Sequence, residues 1–188
     1  QHEAFEPRVA VILSHEMHMS PPVVFPSQRS SHFLSLLTTV VGHAGRVENF
    51  LAAVPLLYKK SVTDSQKTTH EISAPAGRIT FDRLGQGPPL LLVNGYGASR
   101  ADWDPGFLEI LASSSTVYCP DNRGIGESDF GDGTLSIESM AGDMLGLLDS
   151  LGLDRVDVAG WSMGGFISQQ LASMAPGRVS GLVLMATD

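Results

Sequence analysis

Beyond residue 70 the chain alternates short apolar runs with amphipathic stretches, the order that builds a mostly parallel sheet covered by helices on both faces. Glu71-Ile72-Ser73 and Arg78-Ile79-Thr80-Phe81-Asp82 flank Ala74-Pro75-Ala76-Gly77, which predicts a hairpin. Pro89-Leu90-Leu91-Leu92-Val93 is a continuous apolar run, the pattern of a strand buried on both sides. A short helix is expected around Trp103 to Ala112, and a strand over Thr116 to Cys119. Ile137, Met140, Ala141, Met144, Leu148 and Leu151 recur at helical spacing, with Ser136 or Thr134 placed to cap the start and Gly152 to end it. Val156 to Ala159 predicts a strand running into Gly160. Phe166 to Ala175 predicts a helix stopped by Pro176-Gly177, and Val179 to Ala186 a last strand.

The first seventy residues are less regular. Val9 to Leu13 has the composition of a short strand, and Pro21-Pro22 and Pro26 interrupt any regular element after it. Phe33 to Val41 is apolar, preceded by Arg29 and followed by Gly42-His43-Ala44-Gly45. With translation starting at Met19, this stretch would resemble a signal peptide; a buried element is the favoured reading of so short a run. Asn49 to Tyr58 has a helical pattern interrupted by Pro55. His15-Glu16-Met17-His18 has its histidines three apart, not the four that one helix face needs for zinc, so it reads as a solvated polar segment. No metal and no cofactor is expected.

Charge sharpens the division. Residues 1–70 carry six basic and five acidic side chains, residues 71–188 six and fifteen, and all six histidines lie between His2 and His70. We therefore expect an N-terminal extension over 1–69, read as a leader or an irregular or helical segment, and an α/β core over 70–188. The net charge of -8 argues against a nucleic-acid partner, because phosphates repel an acidic surface. No run reaches the roughly 18–20 apolar residues of a membrane span. Cys119 has no partner for an internal disulfide and reads as a buried thiol. The cytoplasm is the expected location, with the signal-like stretch at 29–45 as the argument for secretion.

Chemistry is concentrated at Gly160-Trp161-Ser162-Met163-Gly164, a G-x-S-x-G pattern between an apolar strand and a helical segment. A strand turning abruptly into a helix brings backbones together, so bulky side chains at 160 and 164 would clash. Such a turn exposes the Ser162 hydroxyl beside a helix N-terminus, where unpaired N–H groups favour developing negative charge. The bland alternative is a serine capping that helix. Asn94-Gly95-Tyr96-Gly97 directly follows the buried strand, where a loop can aim a backbone N–H at a substrate oxygen. By position the two oxyanion donors are assigned to Tyr96 and Met163.

Residues 70–188 resemble the first half of an α/β-hydrolase of the bacterial esterase, non-haem haloperoxidase and enol-lactone hydrolase type. Three motifs in order carry the resemblance: Asn94-Gly95-Tyr96-Gly97, Asp121-Asn122-Arg123-Gly124-Ile125-Gly126-Glu127-Ser128, and Gly160-Trp161-Ser162-Met163-Gly164-Gly165. It implies an incomplete α/β-hydrolase sheet and Ser162 as nucleophile toward a small ester, thioester or lactone. Many members have His where Asn94 stands, a residue that orders the loop. The resemblance also implies that Asp121 and Arg123 brace a loop at the pocket edge, and serine at 162 disfavours the dehalogenase and epoxide-hydrolase branches, which use Asp there.

The family's chain order is nucleophile, acid, histidine, and no His follows Ser162 here. Asp188 stands near where some relatives place the acid, although an incidental terminal residue is the favoured reading. A serine hydroxyl is a weak nucleophile without a positioned base, so this segment alone is expected to be inactive. The strand at 179–186 is expected to be an open apolar edge, prone to self-association unless residues 1–70 or a second chain cover it. The rival expectation is a non-catalytic binding module on the same scaffold.

Overall fold

The computed structural model describes residues 8–12, 67–74, 77–131 and 133–187. Seven strands form one sheet: β1 (Arg8–Ile12), β2 (Thr68–Ala74), β3 (Gly77–Leu84), β4 (Pro89–Val93), β5 (Thr116–Pro120), β6 (Val156–Trp161) and β7 (Val179–Met185). Their order is β1-β7-β6-β4-β5-β3-β2. The β2–β3 hairpin and the β3–β5 pair are antiparallel, and all other pairs are parallel.

Among the described residues three α-helices cover the sheet: α1 (Pro105–Ala112), α2 (Ile137–Ser150) and α3 (Met163–Met174). Alternation along β4 divides the interior, since successive side chains of a strand point to opposite faces. Leu91 and Val93 join Met144, Leu147 and Leu148 of α2 and Ile167 and Leu171 of α3 in one core. Leu90 and Leu92 join Trp103, Phe107, Leu108 and Leu111 in the other. Each such side chain, fully buried, stabilises the fold by about 1.5–3 kcal/mol. The run Pro89–Val93 is uniformly apolar because it serves both cores.

Local signals set most boundaries. Ser136 caps α2 by accepting from the Ser139 N–H, and the Ser139 hydroxyl accepts in return from the Ser136 N–H. Asp104 accepts from Phe107 at the start of α1, with Pro105 in the first turn. Gly152, at φ 63°, turns the chain out of α2.

One expectation needs correction, and one left open is decided. The helix expected from Phe166 starts at Met163, because Gly164 and Gly165, poor helix formers, occupy a first turn where neighbouring atoms leave no room for a side chain. The edge along residues 179–186, expected to be open unless residues 1–70 or a second chain covered it, is covered in the first of these ways: β1 pairs with β7 in parallel, Arg8 opposite Gly181 through Ile12 opposite Met185. The backbone of β7 is thus satisfied on both sides, and β1 is the outermost strand among the described residues. The signal-like stretch, the His15–His18 segment and Asp188 lie outside the described residues.

Candidate active site

β6 ends at Trp161, opposite Met185, and the next residue begins the turn into α3. Ser162 takes φ 50°, ψ -119°. This conformation is open to glycine and strained for any residue with a Cβ. Ser162 stands at the N-cap position, yet its side chain makes no capping hydrogen bond, so the hydroxyl is not consumed in ending the helix. Its backbone is held tightly: the N–H donates to Met185 O at 2.8 Å, and the carbonyl accepts from Gly165 N at 2.8 Å.

The glycines around it are explained by contact. A Cβ on Gly160 would run into the carbonyl of Gly164, and one on Gly164 into the carbonyl of Val93. The first turn of α3 therefore lies directly on the ends of β6 and β4. Its first N–H, that of Met163, is too early in the helix to have an intrahelical acceptor and lies beside Ser162.

The loop after β4 meets this turn from the other side. A Cβ on Gly95 would come 3.3 Å from the Ser162 Cβ. Asn94 orders the loop through both ends of its amide: Oδ1 accepts from Gly95 N at 2.8 Å and Nδ2 donates to Ser99 O at 3.0 Å. Asn122 Nδ2 donates to the Asn94 carbonyl at 3.0 Å, tying in the loop after β5. Tyr96 projects from the tip with 85% of its surface exposed, and Gly97 follows at φ 70°.

The Asp121–Ser128 segment is a braced loop. Asp121 is buried; its carboxylate accepts from the Arg100 N–H at 2.6 Å, from Glu127 N at 3.0 Å, and from the Arg100 guanidinium. Arg123 forms a buried two-pronged pair with Asp143 of α2, at 2.6 and 2.7 Å, and donates to Ser139 O at 3.0 Å. Gly124 closes the loop, its N–H donating to Asp129 O at 3.0 Å.

Residue patterns alone did not single out Arg100, Asp82, Asp143 or Thr187. Arg100 sits between Asp82, Asp121 and Glu127, with Nε 3.2 Å from Asp82 Oδ1. Burial disfavours its charge, but the hydrogen bond to Glu127 and the charges of Asp121 and Asp82 outweigh that and raise its pKa. Lys67 meets the same Asp82 at 2.7 Å. Asp143 could have been found as the one charged residue on the buried stripe of α2; the others carry no local signal.

His70 is an exposed residue of β2, bonded to Thr68 Oγ1 at 2.7 Å and stacked on Phe81. With β4, β5 and β3 between β2 and β6, it is remote from Ser162. The other five histidines lie outside the described residues. No group of three or more His, Cys, Asp or Glu suited to a metal occurs among the described residues.

Residues 88–188 match the model of the alpha/beta hydrolase fold family. The chain belongs to this family. Among similar proteins is BpoC of Mycobacterium tuberculosis, named as a non-heme bromoperoxidase, 36% identical over 58% of this chain and 42% of its own. A pimeloyl-(acyl-carrier protein) methyl ester esterase of Aeromonas hydrophila is 33% identical over 58% of this chain and 42% of its own. The solved structure of the N-acyl homoserine lactonase AidH, an E219G mutant with N-hexanoyl homoserine, superposes with a TM-score of 0.61 at 30% identity, covering 64% and 45% of the two chains. This α/β-hydrolase chain spans about two-fifths of the length of the curated relatives it matches. No helix among the described residues is long and apolar enough to cross a membrane.

Proposed function

We propose that residues 70–188 are the nucleophile-bearing part of a serine hydrolase acting on a small ester, thioester or lactone. The observation that carries this reading is the Ser162 backbone at φ 50°, ψ -119°, held at a helix N-terminus with its hydroxyl free of any capping bond. Strain of this kind costs of order 1–3 kcal/mol and persists only where surrounding contacts impose it. A serine needed only as a cap would relax to an extended conformation and use its oxygen on the helix.

In this mechanism Ser162 Oγ attacks the substrate carbonyl, and its proton passes to a base from outside residues 68–187. The carbonyl π electrons move onto oxygen, which accepts hydrogen bonds from the N–H groups of Met163 and Tyr96. Collapse expels the alcohol, thiol or ring oxygen, which takes the proton back from the base and leaves an acyl-Ser162. Water, deprotonated by the same base, then releases the acid. The helix dipole of α3 and its unpaired N–H groups favour the oxyanion.

Fluorophosphonate labelling of the intact natural protein tests this. Covalent modification at Ser162, abolished in Ser162→Ala, is the expected result. An unlabelled protein would overturn the reading in favour of a ligand-binding scaffold. The 188-residue chain expressed alone is expected to show no turnover, since no histidine follows Ser162 in it.

A further inference from the structure

Among the described residues, only two non-glycine residues have positive φ: Ser162 and Ala186, both at 50°. They are directly linked. Ser162 N–H donates to Met185 O at 2.8 Å, the residue before Ala186. Thr187, the residue after it, directs its hydroxyl to the Ser162 carbonyl at 3.0 Å, with Met185 O as a second acceptor at 3.2 Å. A hydroxyl has one proton, so these two acceptors share it. Thr187 is buried at 4% exposure, so the bond is not in competition with bulk water.

The same side chain explains Gly165, which the elbow alone does not require. A Cβ on Gly165 would meet Thr187 Oγ1, Cβ and Cγ2. The first turn of α3 thus has a glycine where the helix would otherwise favour alanine, and the room it leaves is filled by Thr187. The left-handed turn at Ala186 brings Thr187 back over the elbow instead of continuing β7.

We infer that Thr187 is a positioning residue: the Met185-Ala186-Thr187 turn is a latch that holds Ser162 in its strained conformation by gripping both its N–H and its carbonyl. The inference rests on Ser162 being the nucleophile and adds a residue that would govern how fast it reacts. Losing the hydroxyl leaves the Ser162 carbonyl held by the Gly165 N–H alone, so its ψ is less tightly fixed. The hydroxyl of Ser162 then spends less time aimed at a substrate carbonyl. The loss falls on the bond-forming step rather than on binding, since Thr187 lies beneath the elbow and is buried.

The test is the kinetics of fluorophosphonate inactivation of the intact natural protein, separating inactivation rate from inhibitor affinity. Thr187→Val keeps the shape and removes the hydroxyl; it is expected to lower the inactivation rate at least tenfold with affinity changed less than twofold. Thr187→Ser should restore the rate to within about threefold of wild type. Amide hydrogen exchange at Ser162 should quicken in Thr187→Val and not in Thr187→Ser, a readout independent of activity. If Thr187→Val does not fold, Gly165→Ala displaces the same side chain and should slow inactivation alike. Wild-type inactivation and exchange in a folded Thr187→Val, with Ser162→Ala unlabelled, would overturn the latch alone. Labelling that persists in Ser162→Ala would overturn the nucleophile reading and the latch together.

Discussion

Strain at a single residue has a measurable cost in this molecule. Ser162 holds a backbone conformation that glycine reaches freely, and the chain retains serine there with the hydroxyl unused by the helix. Two substitutions separate the side chain from the strain. Ser162→Ala removes the hydroxyl and keeps the Cβ, so its stability should stay near that of the wild type. Ser162→Gly removes both, and should be more stable than Ser162→Ala by about 1–2 kcal/mol in denaturant unfolding, after allowing for the extra freedom glycine gives the unfolded chain. Equal stabilities would mean the turn is not strained at this residue. Cys119 makes a second residue-scale prediction. Burial, and after it the charge of Asp82, pushes its thiol pKa well above the ordinary value. The native protein should resist iodoacetamide at pH 8 and react once unfolded. Because the folded state keeps the proton longer, stability should fall as pH rises past about 8.5, by up to about 1.4 kcal/mol per unit. Cys119→Ala should lose that slope.

Between elements, the site is assembled by loops that the strands merely deliver. Arg100 is the clearest example, since it joins the end of the Asn94–Ser99 loop to Asp82 of β3 and to Asp121 after β5. Replacing it with methionine would leave the buried Asp121 carboxylate without its cation and Asp82 with Lys67 alone, and should destabilise the protein by about 3–5 kcal/mol in chemical denaturation. Lysine, a point charge without the guanidinium fork, should recover only part of this. A loss below about 1 kcal/mol would mean the cluster is solvated in solution. The elements themselves were legible because each carries a local signal: the both-faces-buried run Pro89–Val93, the stripe from Ile137 to Leu151, Ser136 and Gly152 at its ends. The elbow was legible because its glycines are steric necessities. The early start of α3 was not, since Gly164 and Gly165 look like helix breakers until Val93 and Thr187 are seen against them. Arg100 and Thr187 were illegible for a related reason: the contacts that place them, to Asp82, Asp121 and Glu127 and to Ser162, span 18 to 27 residues of sequence, and no local pattern records such a contact.

For the molecule as a whole, the sheet order decides what the first strand is for. β7 carries Leu182, Leu184 and Met185 into the two cores, and gives the elbow Met185 and, through the turn that follows it, Thr187, so its position bears on both stability and the site. Its outer backbone edge is satisfied by five residues, Arg8–Ile12, that precede the rest of the sheet by more than fifty positions. Recruiting a parallel strand from so far along the sequence costs conformational entropy and makes its docking easier to lose than that of β6 on the inner side. Removing residues 1–12 should therefore leave the β3–β7 core folded but bare its edge, an invitation to pair with a second copy that the net negative charge opposes only in part. Sedimentation velocity should then show dimers or larger species growing with concentration and salt, together with a lower melting temperature. A shortened chain that stays monomeric and melts with the parent would mean that β1 contributes nothing to the fold, and that the edge of β7 is protected by its own side chains.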